Sequence, residues 1–374
     1  MLTRFRGAQT LLAAATVAAL LAPPARAVAA EGSITIASYG GAYARSQVVA
    51  FVDPFREETR QWVEMVSHRG DLEELRDQVL SGNVTWDVVD MTATDAIRAC
   101  NEGLLQRLEG LPLAPSTSGQ PAAEDFLAGS LLPCGVGQNI WATVIAYEAS
   151  AYEGLTAPST LGDFFDLERF PGSRGLQKSA QVNLEWALLA DGAAPGEIYT
   201  LLESDAGLER ALAVLERIRP AIVWWTRGEE ALDLLQQRRV AMSSAWSGRV
   251  FFRNRVRGGS IRAIWEGNVW EREFWAVPRG APNAETAKRF IAFATEPERQ
   301  AVQATQIAYS PARASADPLV DEAVRPFLPT TPENAALGVA SDADWWARNG
   351  ARLEQAFQDW ADGPSKRVRN STQH

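Results

Sequence analysis

The order of apolar runs between residues 34 and 91 restricts the fold more than any other feature of this sequence. Three runs, Ile34 to Ser38, Trp62 to Val66 and Trp86 to Met91, have the short β-like pattern of buried strands. The segments between them carry apolar residues at helical spacing, namely Val48, Phe51, Val52 and Phe55, then Leu72, Leu75 and Val79. This β-α-β-α-β order predicts an α/β protein with a parallel, doubly wound sheet, whose ligand crevice lies at the carboxyl ends of the strands.

A second α/β block follows the first. It combines a helix through Leu208 to Leu215 with strands at Val223 to Trp225 and Val240 to Trp246. The strand-like Phe274 to Val277 and the helix after it resume the style of the first block. A chain of 374 residues is longer than one hydrophobic core usually grows, so two lobes are expected.

The two lobes have boundaries that follow from this order. We assign residues 31–139 plus 271–320 to lobe 1 and residues 140–270 to lobe 2. The chain crosses between them near 140–146 and 264–275, which makes a two-crossing hinge. Residues 321–362 are predicted to form C-terminal helices packed on the lobes.

The two ends of the chain are expected to lie outside both lobes. Arg4 and Arg6, an apolar stretch from Ala8 to Leu21 and then small residues have the layout of a secretory signal peptide over residues 1–30. Cleavage is predicted after Ala27 or Ala30. The mature protein is therefore expected to be exported and soluble, and the polar segment 363–374 is predicted to be a disordered tail.

The charge of the chain limits its partners. The formal net charge is −10, and removing residues 1–27 takes away three arginines and no acid, which gives −10 − 3 = −13. This balance excludes a nucleic-acid partner. It fits a receptor for cationic solutes, and it fits equally a solvated acidic surface. Because His68 and His374 are the only histidines, neither a metal site nor a cofactor is expected.

The chain contains two cysteines, Cys100 and Cys134. Both belong to the exported part, where an oxidising compartment favours a disulfide. The alternative is a pair of buried free thiols.

Several fragments occur in the order and spacing of a known family. They are Ile36 to Tyr43 (Ile-Ala-Ser-Tyr-Gly-Gly-Ala-Tyr), Trp86 to Val89, Glu102 to Leu105, Ala187 to Gly192, Ala245 to Gly248, Phe274 to Pro278 and Tyr309 to Pro311. In these fragments the chain resembles the spermidine/putrescine-type extracellular solute-binding proteins of ABC transporters. The resemblance implies a two-lobed periplasmic-binding-protein-like fold (type II), with a doubly wound sheet flanked by helices in each lobe. It also implies a monomer in the periplasm that delivers a small organic cation or zwitterion to a membrane permease, without enzymatic activity.

Two residues are expected to hold the amine of the solute. Trp246 ends a predicted strand, and its indole face suits an ammonium group and its alkyl chain. Glu273 matches the acidic residue that pairs with a ligand amine in the polyamine binders. Alternatively, Trp246 packs in the core, and Glu273 forms an ion pair with Arg272 or Arg249. Glu271 alternates with Glu273 on the strand and is its nearest rival.

The chain departs from the polyamine binders in two places. The segment Leu176 to Leu184 contains no acid and carries Lys178, which would repel a polyamine from the cleft. The first turn reads Ser38-Tyr39-Gly40-Gly41, whose glycines either admit an anion to the helix start or only make a tight turn. Both features favour a smaller amine or a zwitterion. Its carboxylate or similar group is assigned to Ser38, Gly41, Thr92 and Ser179. Tyr43 and Tyr309 are expected to wall the pocket or to hydrogen-bond the polar end, and Tyr39 is included among the ligand-binding residues.

Two other functions are weighed against solute binding. The same fold can bind an anion or ferric iron, but Tyr309 is followed by Ser310 rather than by a second tyrosine. An exported hydrolase is the alternative from another class. No Gly-x-Ser-x-Gly motif occurs, so only paired carboxylates such as Glu271 and Glu273 are available for catalysis.

Overall fold

One mixed sheet with helices on both faces organises the protein. The computed structural model describes residues 33–364, so the predicted signal peptide and residues 365–374 of the predicted tail lie outside the described residues. All described residues belong to one compact unit. Among the described helices, none combines the length and the apolar character that a membrane span requires.

The strands are numbered in chain order. They are β1 (Ser33–Ser38), β2 (Trp62–Ser67), β3 (Val88–Thr92), β4 (Leu131–Leu132), β5 (Gly135–Glu148), β6 (Arg174–Gln177), β7 (Ile222–Trp225), β8 (Met242–Trp246), β9 (Ile261–Ala276), β10 (Ser310–Pro311) and β11 (Val339–Ala340).

The α-helices are numbered in the same way. They are α1 (Gly41–Gln47), α2 (Asp53–Thr59), α3 (Glu73–Ser81), α4 (Ala93–Asn101), α5 (Ala122–Asp125), α6 (Leu161–Phe165), α7 (Asn183–Ala190), α8 (Ile198–Leu202), α9 (Asp205–Ile218), α10 (Gly228–Gln236), α11 (Ser247–Arg257), α12 (Ala284–Ala294), α13 (Pro297–Ile307), α14 (Pro332–Ala336) and α15 (Ala343–Asp362). A π-helical segment, Val48–Val52, joins α1 to α2.

The sheet has the order β2-β1-β3-β9-β5-β8-β6-β7. The first parallel set is β2-β1-β3, and the second parallel set is β8-β6-β7. Between them lie β5 and β9, which pair antiparallel from Val136 opposite Trp275 to Glu148 opposite Ile261. The two crossings predicted from the sequence lie in these two long strands, although the lobe boundaries themselves stay a prediction.

Side chains of the first parallel set enter two separate cores. Ile34 and Ile36 pack with Phe51 and Phe290 on one face of the sheet. The next residue of β1, Ala37, packs with Leu75 and other residues on the opposite face. Because both faces are covered, the strands read as continuous apolar runs, which explains why the first block is easily recognised in the sequence.

A disulfide joins Cys100 at the end of α4 to Cys134 just before β5. Closing the 34-residue separation restricts the unfolded chain. We expect the Cys100→Ala/Cys134→Ala variant to lose about 2–4 kcal/mol in the free energy of unfolding. Denaturant unfolding with and without a thiol reductant measures this loss. The reductant should destabilise the natural chain and leave the double variant unchanged. Equal denaturation midpoints for the natural chain and the double variant in the absence of reductant would contradict the expectation.

Candidate ligand-binding site

A cavity of about 670 Å³ lies at the carboxyl ends of both parallel sets. The first set supplies residues that end or follow its strands, and so does the second. These residues are Tyr39, Gly70 and Thr92 from the first set, and Lys178, Thr226 and Trp246 from the second. The cavity therefore occupies the crevice that the β-α-β pattern predicts.

Two acids of β9 form one wall of the cavity. Glu271 and Glu273 alternate on the strand, so both side chains reach the same face, and both are at least 95% buried. Glu271 is fully engaged, because it accepts hydrogen bonds from Thr94 Oγ1 at 3.1 Å and from Gln181 Nε2 at 3.1 Å. Oε1 of Glu273 has no hydrogen-bond partner in the described part of the chain. Trp141 and Tyr39 are directed at Glu273 and favour its charged form, so Glu273, unlike Glu271, is approached by cavity-lining donors and keeps an acceptor for a ligand.

A third acid, Asp90, lies behind Glu273 and is completely buried. It accepts hydrogen bonds from Gln47 at 2.5 Å, Gln138 at 3.2 Å and Tyr43 at 3.3 Å. Burial raises the pKa of Asp90 to about 7, and these hydrogen bonds partly offset the rise. Burial, and then the charges of Asp90 and Glu271, raise the pKa of Glu273 well above its usual value. A cation placed beside Glu273 would relieve this repulsion.

Aromatic rings surround the acid. Tyr39 and Tyr43 have centroids 6.2 Å apart, and Tyr43 and Tyr309 have centroids 5.6 Å apart. On the other side, Trp141 of β5 and Trp246 of β8 are 5.9 Å apart. All five rings line the cavity. Aromatic faces beside a carboxyl suit an ammonium group with its alkyl chain.

His68 positions the Tyr39 ring. Its imidazole lies 4.5 Å from that ring, and its Nδ1 accepts the Gly70 N–H at 3.0 Å. Burial lowers the pKa of His68 to about 4, so the imidazole is neutral at physiological pH. His68 thus supports two residues of the cavity wall without adding a charge.

Arg249 supplies the buried positive group of the site. It lies in the first turn of α11, is 4% exposed and forms an ion pair with Glu229. Its guanidinium carbon is 5.0 Å from the centroid of Trp246. Nε of Arg249 has no hydrogen-bond partner among the described residues, and the side chain lines the cavity together with Glu273. One cavity is therefore lined by a buried acid, Glu273, and a buried cationic group, Arg249.

Five side chains of the cavity wall carry a buried polar atom without a hydrogen-bond partner in the described structure. These atoms are Tyr39 Oη, Trp141 Nε1, Trp246 Nε1, Arg249 Nε and Glu273 Oε1. Two of these donors, Tyr39 and Trp141, are directed at Glu273. Because buried polar groups in folded proteins are nearly always satisfied, their convergence on one acid indicates where a polar ligand would bind. Within residues 33–364, no group of histidine, cysteine, aspartate and glutamate is placed to hold a metal ion.

Seven of the nine residues assigned to the site from the sequence line the cavity. They are Tyr39, Tyr43, Thr92, Ser179, Trp246, Glu273 and Tyr309. The hydroxyls of two of them are engaged by the protein: Thr92 caps α4 by accepting the Asp95 N–H at 3.2 Å, and Ser179 donates to Glu354 at 3.4 Å. Thr92 and Ser179 therefore contribute to the shape of the cavity wall.

The other two residues, Ser38 and Gly41, lie outside the cavity lining. Ser38 is completely buried and donates to Gln47 Oε1 at 2.5 Å, so it supports the network around Asp90. Gly41 has a φ of 62°, and the ion pair of Glu229 and Arg249 occupies the space beside its Cα. The close approach that this glycine permits is used by the protein's own side chains.

Lys178 lines the cavity, as the departure from the polyamine binders suggests, but it does not stand alone. Its Nζ lies 2.6 Å from Asp362 Oδ1 at the end of α15. Of the two ion pairs considered for Glu273, Arg249 pairs with Glu229, and no ion pair of Arg272 with Glu273 is found among the described residues. Sequence reasoning did not place Arg249 in the cavity wall; its position at the start of the helix after β8 was the available signal.

The buried acids predict how stability depends on pH. The ordinary pKa values of Asp90 and Glu271 are 3.8 and 4.5, and burial raises both to about 7. The folded protein then keeps protons that the unfolded chain releases, so this contribution is complete below pH ~4 and is lost as the pH rises through ~7. We expect the Tm of the ligand-free protein to fall between pH 5 and pH 8.

Differential scanning calorimetry at each pH tests this expectation. The Glu271→Gln variant is the matched control, because it removes one of the raised pKa values and should show a smaller fall. A Tm that is constant or higher at pH 8, or an equal fall in the variant, would contradict the assignment.

The chain is similar to known solute-binding proteins over most of its length. The gamma-aminobutyric acid-binding protein of Pseudomonas aeruginosa is 36% identical over 341 residues, which cover 91% of this chain and 94% of that protein. AgtB of A. tumefaciens R10, a binding protein solved in complex with agropinic acid, superimposes with a TM-score of 0.78 at 30% identity, covering 88% of this chain and 98% of AgtB. The Atu4243-GABA receptor has a TM-score of 0.77 at 26% identity, covering 89% and 98%.

These structural neighbours are two-lobed periplasmic binding proteins, which confirms the predicted α/β fold class. Members of this class bind small molecules and work with a permease. Residues 50–336 match the sequence pattern of the family described as bacterial extracellular solute-binding protein. The chain belongs to the family of bacterial extracellular solute-binding proteins.

Proposed function

We propose that this protein is the periplasmic solute-binding component of an ABC importer and that its ligand is a small zwitterion, with gamma-aminobutyric acid (GABA) as the first candidate. The observation that carries the proposal is the pair of opposite charges in one cavity. Glu273 and Arg249 are both buried, both line the cavity and both retain a polar atom without a partner in the described structure.

The ammonium end of the solute is assigned to Glu273. A carboxylate shielded from water forms a charge-assisted hydrogen bond that is stronger than the same pair on the surface. Trp141 and Trp246 then cover the alkyl chain, and Tyr39 and Tyr43 close the site around the amine. The function follows from binding alone, and the protein delivers its solute to a permease as a monomer.

The carboxylate end of the solute is assigned to Arg249. The planar guanidinium suits a carboxylate, which it can hold through two parallel hydrogen bonds. A polyamine has no carboxylate for this end, where its second amine would meet the guanidinium of Arg249. The GABA ligand of the relative from Pseudomonas aeruginosa supports the same class of solute.

Calorimetric titration of the mature protein tests the proposal. The solutes are GABA, n-butylamine, butyrate, putrescine and spermidine, which separate the amine, the carboxylate and the number of charges. We expect GABA to bind most tightly and each solute with a single functional group to bind more weakly. A preference for putrescine or spermidine would restore the polyamine assignment, and binding of butyrate without GABA would reverse the assigned polarity of the site.

A further inference from the structure

Glu185 of α7 is a buried acid that does not line the cavity. Its side chain is completely buried, yet it accepts hydrogen bonds from three donors. Oε2 accepts the Val182 N–H at 2.7 Å, and Oε1 accepts Trp346 Nε1 at 2.7 Å and the Tyr199 hydroxyl at 3.3 Å. Two of the donors, Val182 and Trp346, line the cavity, although 164 residues of chain separate them.

Val182 adopts an unusual backbone conformation. Its φ of 72° and ψ of −47° lie in a region that β-branched residues rarely occupy. Such a conformation persists only where the surroundings fix it, and strained residues of this kind concentrate at functional sites. Glu185 fixes the N–H of Val182, and the Trp186 N–H donates to its carbonyl at 2.8 Å.

The turn at Val182 sets the position of its neighbours. Asn183 Nδ2 donates to the carbonyls of Gln177 and Ser179 at 2.7 Å each, so the segment 177–183 has one fixed shape. Within this segment, Gln181 reaches Glu271 at 3.1 Å. The segment that follows β6 of the second parallel set is thereby in direct contact with Glu271 of β9.

Trp346 brings the C-terminal helix to the same acid. It lies near the start of α15, is 3% exposed and lines the cavity. The next residue toward the N-terminus, Trp345, makes an equivalent bond to Glu203 at 3.2 Å but does not line the cavity. The two tryptophans therefore anchor the same helix to different acids, and only one of these bonds touches the cavity wall.

We propose that Glu185 is a positioning residue of the solute site, which holds Val182 and Trp346 together and so sets the shape of the cavity wall that they form. The inference rests on the proposed function of the cavity. All three partners are donors, so a carboxylate can accept from each of them. An amide has a single acceptor oxygen, and its NH2 group would face a donor on Trp346 or Val182.

The Glu185→Gln variant tests this inference through two measurements, with Glu203→Gln as the matched control. The first measurement is hydrogen exchange of the segment 178–186 in the ligand-free protein. The second is calorimetric affinity for GABA. We expect Glu185→Gln to accelerate exchange in this segment and to weaken GABA binding by about tenfold, because one buried donor loses its acceptor. Glu203→Gln should leave both unchanged, because the glutamine Oε1 can still accept the Trp345 indole N–H.

A change of equal size in both variants would show a general anchoring role and overturn the inference, as would wild-type exchange and affinity in Glu185→Gln. If the unchanged protein does not bind GABA, the proposed solute fails, whereas the exchange measurement still decides the role of Glu185. If Glu185→Gln does not fold, exchange in the same segment is compared between Trp346→Phe and Trp345→Phe. Faster exchange is expected only in Trp346→Phe, and equal exchange in the two overturns the inference.

Discussion

Replacing Glu273 by glutamine is expected to weaken GABA binding by about 10- to 150-fold while the protein remains folded. The amide cannot form an ion pair with the ammonium group, but it fills the same volume. Because burial and the neighbouring acids oppose ionisation of Glu273, its replacement also removes a source of repulsion from the ligand-free protein. Calorimetric titration gives the affinity, and the Tm at pH 8 should be equal to or higher than that of the natural chain.

Glu271→Gln is the matched control for this experiment. Both acids lie on the same face of β9 and line the same cavity, but both oxygens of Glu271 already accept hydrogen bonds from the protein. We expect its replacement to change GABA affinity by less than about fivefold, because the Thr94 hydroxyl and the Gln181 amide can each turn an acceptor toward the new NH2 group. If Glu271→Gln loses more affinity than Glu273→Gln, the roles of the two acids must be exchanged.

Replacing Arg249 by glutamine is expected to weaken the binding of a zwitterion much more than the binding of a simple amine. GABA should bind about 10- to 150-fold more weakly, because its carboxylate loses a charged partner in a buried site. The affinity for n-butylamine, which has no carboxylate, should change by less than about threefold. Titration of both solutes into both proteins gives the difference. An equal loss for the two solutes would show that Arg249 shapes the cavity rather than binding the carboxylate.

Two further variants sharpen this result. Arg249→Lys keeps the charge and loses the planar fork, so it should recover only part of the GABA affinity. Glu229→Gln removes the present partner of Arg249 and leaves the guanidinium available to the solute. We expect its GABA affinity to be equal to or higher than that of the natural chain. A large loss in Glu229→Gln would mean that the ion pair acts as one structural unit.

The general fold could be predicted because the local spacing of apolar residues indicates the strands and helices and their order. The strands of the first parallel set are covered on both faces, and their apolar runs are therefore visible without knowledge of the partners. The long pairing of β5 with β9 was less accessible, because the sequence indicated only crossings near 140–146 and 264–275. Strand pairing at such separations depends on contacts that a local pattern does not record.

The candidate site was predictable in part for the same reason. The β-α-β order gives the edge of the sheet where the cavity lies, and the family resemblance directs attention to Trp246 and Glu273. It does not show that Arg249 reaches the same cavity or that Ser38 supports Asp90. These relations arise from side chains brought together from distant parts of the chain. The neighbour of Gly41 in space, Glu229, is likewise remote from it in sequence.

The position of Glu273 in the ladder has a consequence for selectivity by length. Glu273 lies opposite Thr92 of β3 and Asn139 of β5, so its backbone is held by strands on both sides. Arg249 lies instead in the first turn of α11, the helix that begins directly after β8. Of the two groups proposed to hold the solute, Glu273 therefore has the more rigidly held backbone. An additional methylene cannot be accommodated by moving the strand, so homologues of different chain length should be discriminated by how far the helix that carries Arg249 can shift.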